Sequence, residues 1–149
     1  MQMPKFVLAV VLLVLVLAGC GRANVDMDLF SDEPMQHQKV IGIWEGKLGD
    51  IRIVVQLSTE GTTLKGVVDS PDQGATGINI RQVRFDGQKI AIEIASINAF
   101  FVASLDDSAN RLDGQWVQNG TNKLALDRVD QPSVRKRLQN PEPPFPYQE

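Results

Sequence analysis

Residues 51–68 read IRIVVQLSTEGTTLKGVV, and this stretch decides the fold. In its first seven positions the odd members are all large and apolar, a period of two that places them on one face of a β-strand. The same period recurs in KIAIEI at 89–94. Glycine and small polar residues separate such runs, which is typical of antiparallel strands joined by tight turns. We therefore predict an all-β domain.

Working outward from this stretch, the sequence predicts eight strands with short connections. No run of ten or more residues with a helical period separates them, which argues against βαβ units. Neighbours along the chain should therefore be neighbours in the sheet. The predicted strands are 40–48, 51–58, 63–69, 78–85, 89–95, 99–105, 111–118 and 122–129.

Three strands place a glycine between apolar residues on what we predict to be the inward face. The segments are Trp44-x-Gly46, Leu64-x-Gly66-x-Val68 and Leu112-x-Gly114-x-Trp116; the last two follow Leu57 and Leu105 after six residues and lie 48 residues apart. An inward glycine is typical of strong bending or of close approach by another strand. This curvature favours a small, lipocalin-like up-and-down barrel, with a β-sandwich as the alternative.

The predicted inward residues are mostly large, which favours a filled interior over a ligand cavity. They are Trp44, Leu48, Ile53, Val55, Leu57, Leu64, Val68, Val83, Phe85, Ile90, Ile92, Ile94, Phe101, Leu105, Leu112, Trp116, Leu124 and Leu126.

The first twenty residues have the layout of an export signal. Lys5 precedes an apolar run from Phe6 to Leu17, which is too short for a bilayer core that needs about 20 residues. The following Leu17-Ala18-Gly19-Cys20 resembles the bacterial lipobox. That resemblance implies cleavage between Gly19 and Cys20 and acylation of the Cys20 thiol.

Cys20 is the only cysteine, so it has no disulfide partner within the chain, and lipidation would account for its presence. Several acyl chains hold a protein stably at a membrane. Residue 21 is Gly rather than the Asp that usually retains lipoproteins at the inner membrane of Gram-negative bacteria. The expected location is therefore the cell envelope, at the periplasmic face of the outer membrane.

Four regions follow from these features. Residues 1–19 are a predicted signal peptide, 20–38 a lipidated flexible tether, 39–130 the β-barrel domain, and 131–149 a proline-rich tail or linker. Cleavage would remove Lys5 and no acidic residue, changing the formal charge from −3 to −4. An acidic chain of this kind gives no reason to expect nucleic acid as a partner.

The sequence offers no recognisable catalytic or metal site, so we expect no enzyme activity and no cofactor. No serine lies in a Gly-x-Ser-x-Gly motif, and the single histidine, His37, falls in the predicted tether. Asp106, Ser108 and Asn110 have the first spacings of a calcium loop, but Arg111 stands where such a loop needs glycine. We interpret this segment as a polar turn.

Two further motifs resemble the amino-terminal accessory domain of a group of secreted α/β-hydrolases. They are Ser70-Pro71-Asp72-Gln73-Gly74-Ala75-x-Gly77-Ile78 and the terminal Pro141-Glu142-Pro143-Pro144-Phe145-Pro146-Tyr147. In that family a small β domain with a Trp-x-Gly strand precedes a serine esterase or peptidase-like catalytic domain, and the proline-rich run is the linker. The similarity covers residues 40–149, which contain no counterpart of the catalytic triad.

This resemblance implies that the chain is an accessory module whose interface includes Ser70, Pro71, Asp72, Gln73, Gly74, Pro144, Phe145, Pro146 and Tyr147. We expect a lipid-anchored, non-catalytic β module that binds a partner protein or a small apolar ligand. The alternatives are a detached accessory domain that acts with a separate α/β-hydrolase chain, and a lipocalin-like lipid carrier.

Overall fold

A computed structural model describes residues 25–133 of the chain and confirms the predicted all-β antiparallel class. Nine strands form one curled, half-barrel sheet rather than two packed sheets. Their bounds are β1 Gly42–Leu48, β2 Ile51–Glu60, β3 Thr63–Ser70, β4 Ala75–Asn79, β5 Gln82–Phe85, β6 Lys89–Ile94, β7 Ala99–Leu105, β8 Arg111–Val117 and β9 Thr121–Val129. The order across the sheet is β4-β3-β2-β1-β9-β8-β7-β6-β5, and all the pairs are antiparallel.

The count of nine differs from the predicted eight because the fourth predicted strand divides into β4 and β5. β4 pairs with β3, whereas β5 pairs with β6. At the break the Ile80 amide donates to Gly66 O (3.0 Å), and the Arg81 amide donates to Glu93 O (2.8 Å). One stretch of chain thus joins the two edges of the sheet, which gives it the curvature of an up-and-down barrel.

Because neighbouring strands are antiparallel, the connections lie at two opposite ends of the barrel, which we call the upper and the lower end. The upper end carries the connections at 49–50, 71–74, 95–98 and 118–120. The lower end carries those at 61–62, 86–88 and 106–110. The connection at 61–62 is shorter than the six-residue turn that the sequence suggested after Leu57, since β2 continues through polar Ser58, Thr59 and Glu60.

The interior is filled by the large residues that the alternation predicted. Trp44, Phe85 and Phe101 are completely buried, and every residue predicted to face inward belongs to or packs against one apolar cluster. At the lower end Arg128 lies over the Trp44 ring, with 4.3 Å from its guanidinium carbon to the ring centre. The same guanidinium donates to the carbonyl oxygens of Ile41 (2.6 Å) and Ala109 (3.0 Å).

The three inward glycines lie where neighbouring strands come closest. A Cβ on Gly46 would stand 2.0 Å from Ala125 O, one on Gly66 2.4 Å from Gln56 O, and one on Gly114 2.1 Å from Val102 O. All three distances are far below van der Waals contact. The predicted close approach is therefore present at all three positions.

The segment before β1 is not a free tether, and this corrects the prediction for its described part. Two 3₁₀ helices, Met27–Leu29 and Pro34–Lys39, pack on the barrel. Met27 and Phe30 form a second small core with Ala91 and Phe100 on the outer face of β6 and β7. The sequence did not reveal this because the contacts join residues far apart in the chain and follow no local period.

Candidate functional site

The loop between β3 and β4 is the part of the predicted interface that the structure describes. Pro71–Gln73 form a 3₁₀ turn that ends at Gly74, whose φ of 68° is a left-handed conformation that glycine adopts readily. Ser70 is buried, and its hydroxyl donates to Gln73 Oε1 (3.0 Å). Asp72, Gln73 and Gly74 are exposed at the upper end of the barrel. The loop therefore has a fixed base and an accessible tip.

Asp69 holds the far side of this loop. One of its carboxylate oxygens accepts from the Gly77 amide (2.6 Å), and the other accepts from Gln56 Nε2 (3.0 Å). Because Gln56 projects from the neighbouring strand β2, the loop is connected to two strands. Hydrogen bonds to a charged carboxylate are the stronger kind, so this support favours one loop conformation.

Arg52 on β2 joins the loop to the carboxyl-terminal segment. Its amide donates to Asp72 Oδ2 (2.8 Å), and its Nη2 lies 3.3 Å from Asp72 Oδ1. Its Nη1 donates to the hydroxyl of Ser133 (2.7 Å) and to the carbonyl oxygen of the same residue. Arg52 is only 9% exposed although it lies on the outward face of its strand.

Glu45 on β1 completes the attachment of Ser133. Its carboxylate accepts from the Ser133 amide (2.7 Å) and from the Ser133 hydroxyl. Since β9 ends beside Ile43, the chain turns back after Val129 and reaches Glu45 along the outer face of β1. This direction leads from the lower end of the barrel toward the loop at the upper end.

These contacts form what we call the Arg52 cluster, defined as Glu45, Arg52, Asp72 and Ser133. The sequence analysis missed Glu45, Arg52 and Ser133 as site residues. Arg52 and Ser133 stand 81 positions apart, and an outward arginine in an alternating strand is ordinarily solvated. No local signal identifies such a residue, because its burial depends on a chain segment that returns from the end of the last strand.

The other predicted interface and lipidation residues lie outside the described residues. They are Gly19 and Cys20 at the amino-terminal side, and Pro144, Phe145, Pro146 and Tyr147 at the carboxyl-terminal side. Ser133, at the Arg52 cluster, is the last described residue before that second group.

His37 has a fixed and buried position, which the sequence analysis did not expect. It is 2% exposed, and its Nε2 lies 2.7 Å from Asp32 Oδ1. The same Asp32 oxygen accepts from the Phe85 amide (3.2 Å). The second ring nitrogen, Nδ1, is buried without a hydrogen-bond partner. Through Asp32, the arrangement attaches the amino-terminal segment to β5.

Asp106 organises the connection between β7 and β8 as a polar turn. Its carboxylate accepts from the Ser108 hydroxyl and from the amides of Asn110 and Arg111, both at 2.8 Å. The Ser108 hydroxyl and the Arg111 amide, in that order, hold the pKa of Asp106 below its usual value. Within residues 25–133, no group of three or more His, Cys, Asp or Glu side chains could hold a metal ion.

A surface groove crosses the outer face of β1, β2 and β3 below the Arg52 cluster. Its volume is about 560 Å³. Ile43, Val67 and Lys65 are among its lining residues, and the backbone at Gly66 forms part of its floor. The groove is open to solvent.

No helix in the described part of the chain is long and apolar enough to cross a membrane. Comparisons of the sequence with protein-family models and with curated proteins found no match.

Proposed function

We propose that the chain is a lipid-anchored, non-catalytic β module of the cell envelope that binds a partner protein at the upper end of its barrel. The observation that carries this proposal is the Arg52 cluster. It ties the Ser70–Gly77 loop to Ser133, after which the proline-rich tail follows in the sequence. The loop and the residue that precedes the tail region thus share one buried arginine.

The chemistry of these segments suits a protein partner. The loop tip is exposed and polar, while Pro144, Phe145, Pro146 and Tyr147 add stiff apolar and aromatic groups. Proline-rich segments bind apolar grooves at low entropic cost because their extended conformation is largely preformed. Ten residues lie between Ser133 and Pro144, so the two are at most about 40 Å apart when the chain is extended. Loop and tail can therefore engage the same partner.

A small apolar ligand is the less favoured occupant. A carrier needs an apolar cavity, whereas Trp44, Phe85 and Phe101 occupy the centre of the barrel. The outer groove beside Ile43 and Lys65 is open to solvent and mixes apolar with polar walls. Ligand pockets usually bury most of their ligand's surface. We therefore propose a protein rather than a lipid as the partner.

Membrane attachment rests on the sequence around Cys20. The lipobox-like Leu17-Ala18-Gly19-Cys20 supplies the acylation site, and Val25 is already part of the amino-terminal core packing. The five residues from Cys20 to Val25 span at most about 18 Å. An acylated Cys20 would therefore hold the barrel close to the bilayer.

Photocrosslinking in cells tests the partner proposal. A photoreactive amino acid replaces Gln73 at the loop tip in one variant of the full-length protein. In the control it replaces Lys123, which is exposed on the outer face of β9. We expect one specific adduct from position 73 and none from position 123. Absence of any adduct, or the same adducts from both positions, would contradict the proposal.

A second candidate function is action in trans with a separate serine hydrolase. The α/β-hydrolase resemblance of the loop and tail motifs favours it, and Arg52 joins the loop to Ser133, which precedes the tail in the sequence. An active-site-directed fluorophosphonate distinguishes this version, because it labels serine hydrolases. A labelled partner in the position-73 adduct would support the accessory role, whereas an unlabelled partner would leave only the general binding function.

A further inference from the structure

Two large apolar side chains are exposed on the segment that precedes the barrel. Leu29 is 76% exposed and Met35 is 92% exposed, and no other large hydrophobic residue among residues 25–133 is exposed to this degree. Single exposed apolar residues are common on protein surfaces and need no explanation. Here, however, both belong to the same short segment, 9 and 15 residues after Cys20.

The contacts of their neighbours place both side chains on the β5 side of the barrel, Leu29 beside β5 and Met35 at the lower end. Leu29 lies between Asp28 and Phe30, and both neighbours bind Arg84 on β5, at 3.0 Å to Asp28 Oδ1 and 3.1 Å to Phe30 O. Met35 precedes Gln36, which lies against Gly87 in the turn between β5 and β6. We call these two side chains the Leu29–Met35 patch.

The backbone that carries the patch is held firmly, so the exposed side chains have a fixed place. The Glu33 amide donates to Phe85 O (2.7 Å). Further along the segment, Asp32 and His37 bind each other through Oδ1 and Nε2 (2.7 Å). Phe30 is buried next to exposed Leu29, which keeps the backbone of that turn on the barrel. The segment therefore presents Leu29 and Met35 outward rather than leaving them to collapse onto the domain.

We infer that the Leu29–Met35 patch inserts into the surface of the lipid bilayer and orients the barrel with its lower end toward the membrane. This inference rests on the proposed lipid anchor at Cys20. From an acylated Cys20 to Leu29 the chain spans at most about 30 Å, so the patch lies within reach of the headgroup layer. Apolar side chains at such a depth strengthen attachment in proportion to the apolar area that they bury.

The charges around the patch define the lipid that it prefers. Asp26, Asp28, Asp32 and Glu33 lie near the two apolar residues in the sequence. Asp28 is paired with Arg84, which reduces the local negative charge but does not reverse it. An acidic rim disfavours anionic headgroups. The patch should therefore contact zwitterionic lipid better than anionic lipid.

A solvent-sensitive fluorophore tests the inference in the lipidated full-length protein. Leu29→Cys or Met35→Cys is labelled with a nitrobenzoxadiazole group, and the acylated Cys20 offers no competing thiol. Lys123→Cys is the control, because β9 lies across the barrel from β5. Circular dichroism shows that each variant is folded, and flotation with phosphatidylcholine vesicles shows that it is membrane-bound.

We expect the emission from positions 29 and 35 to shift to shorter wavelength on phosphatidylcholine vesicles and to be quenched by brominated acyl chains. Position 123 should show neither effect, and replacing part of the lipid with phosphatidylglycerol should reduce the shift. Protein that floats without a shift at 29 and 35, or with an equal shift at all three positions, overturns the inference but leaves the anchor intact. Protein that does not float overturns the anchor and the inference together.

Discussion

Arg52 shows how a single outward residue of a strand can be a structural centre. Its guanidinium contacts Asp72 and Ser133, and with 9% exposure it is more buried than a typical surface arginine. Val54, the next outward residue of β2, is 1% exposed and pairs in register with Glu45 and Asp69. Polar side chains here shield an apolar one, so the outer face at this point is packed rather than solvated.

We predict that Arg52→Met destabilises the protein by about 1–3 kcal/mol, because the replacement removes charged hydrogen bonds from a buried site. Urea unfolding followed by tryptophan fluorescence measures the change. Arg81→Met is the matched control: Arg81 also faces a carboxylate, Glu93, but its side chain is 69% exposed. Exposed pairs contribute little, so the control should change stability by less than about 0.5 kcal/mol. Equal losses in the two variants would contradict the structural role of the Arg52 cluster.

Asp106 gives a prediction about pH. Its pKa is lowered in the folded protein by the Ser108 hydroxyl and the Arg111 amide, so ionised Asp106 stabilises the fold. That stabilisation is fully present above the ordinary pKa of about 4 and is lost as the pH falls through the lowered value. The stability difference between the wild type and Asp106→Asn should therefore shrink as the pH drops below about 4.

Urea unfolding between pH 7 and pH 2.5 measures this difference. Asp107→Asn removes the same formal charge from the same turn, but Asp107 accepts none of the hydrogen bonds that Asp106 accepts from Ser108, Asn110 and Arg111. It should lower stability at neutral pH less than Asp106→Asn does. A difference for Asp106→Asn that is constant or grows toward low pH would contradict the assignment.

At the scale of elements, β8 shows why inward glycine recurs in this fold. Gly114 pairs with Ala103, and the backbone of β7 comes so close that a Cβ would stand 2.1 Å from Val102 O. We predict that Gly114→Ala destabilises the protein by at least about 1–3 kcal/mol, the usual cost of overpacking. Gln115→Ala, one residue along the strand and exposed, should change stability by less than about 0.5 kcal/mol. Thermal unfolding of both variants, followed by circular dichroism, makes the comparison. If Gly114→Ala left the stability unchanged, the strands would separate easily enough to admit a side chain.

The elements were largely predictable because their information is local. Alternation in 51–57 and 89–94 identified strands and faces, and the turn residues placed most strand ends within two positions of the observed ends. The division between β4 and β5 was not predictable, since it depends on which strand each half meets after the sheet has curved. The continuation of β2 through Ser58 to Glu60 was missed for a related reason: these residues are polar and exposed, so no apolar period marks them.

The site was less predictable than the strands. The loop motif at Ser70–Gly77 drew attention to the correct connection, but its partner Arg52 and the anchor of Ser133 on Glu45 are long-range contacts. The same limit applied to the amino-terminal segment. Its apolar Met27 and Phe30 follow no strand or helix period, and their burial depends on Ala91 and Phe100, which lie more than 60 positions away.

For the whole molecule, the two proposals assign different roles to the two ends of the barrel. The Leu29–Met35 patch runs along the β5 side of the barrel to the lower end at the β5–β6 turn, whereas the Ser70–Gly77 loop lies at the upper end. A barrel attached to a bilayer by its lower end would present the loop and the Arg52 cluster away from the lipid. A partner protein could then reach the upper end without competing with the membrane.

Such an orientation requires the amino-terminal segment and the barrel to behave as one body. Several hydrogen bonds join them: among these, Trp44 Nε1 donates to Val40 O (2.8 Å), Arg84 binds Phe30 O, the Phe85 amide binds Asp32, and Arg128 binds Ile41 O. These contacts attach the segment to the middle, the edge and the lower end of the sheet. We therefore predict that the segment and the barrel unfold together in a single transition.

Two probes in one protein measure this. In a soluble form that lacks residues 1–20, tryptophan fluorescence follows Trp44 and Trp116 inside the barrel, while a fluorophore on Met35→Cys follows the segment. Both signals should give the same urea midpoint, and His37→Ala should lower the two midpoints equally because it removes the Asp32 contact that ties the segment to β5. If the segment instead detached at a lower urea concentration than the one at which the barrel unfolds, it would be a separable arm. In that case insertion of the patch into a membrane would not fix the orientation of the barrel.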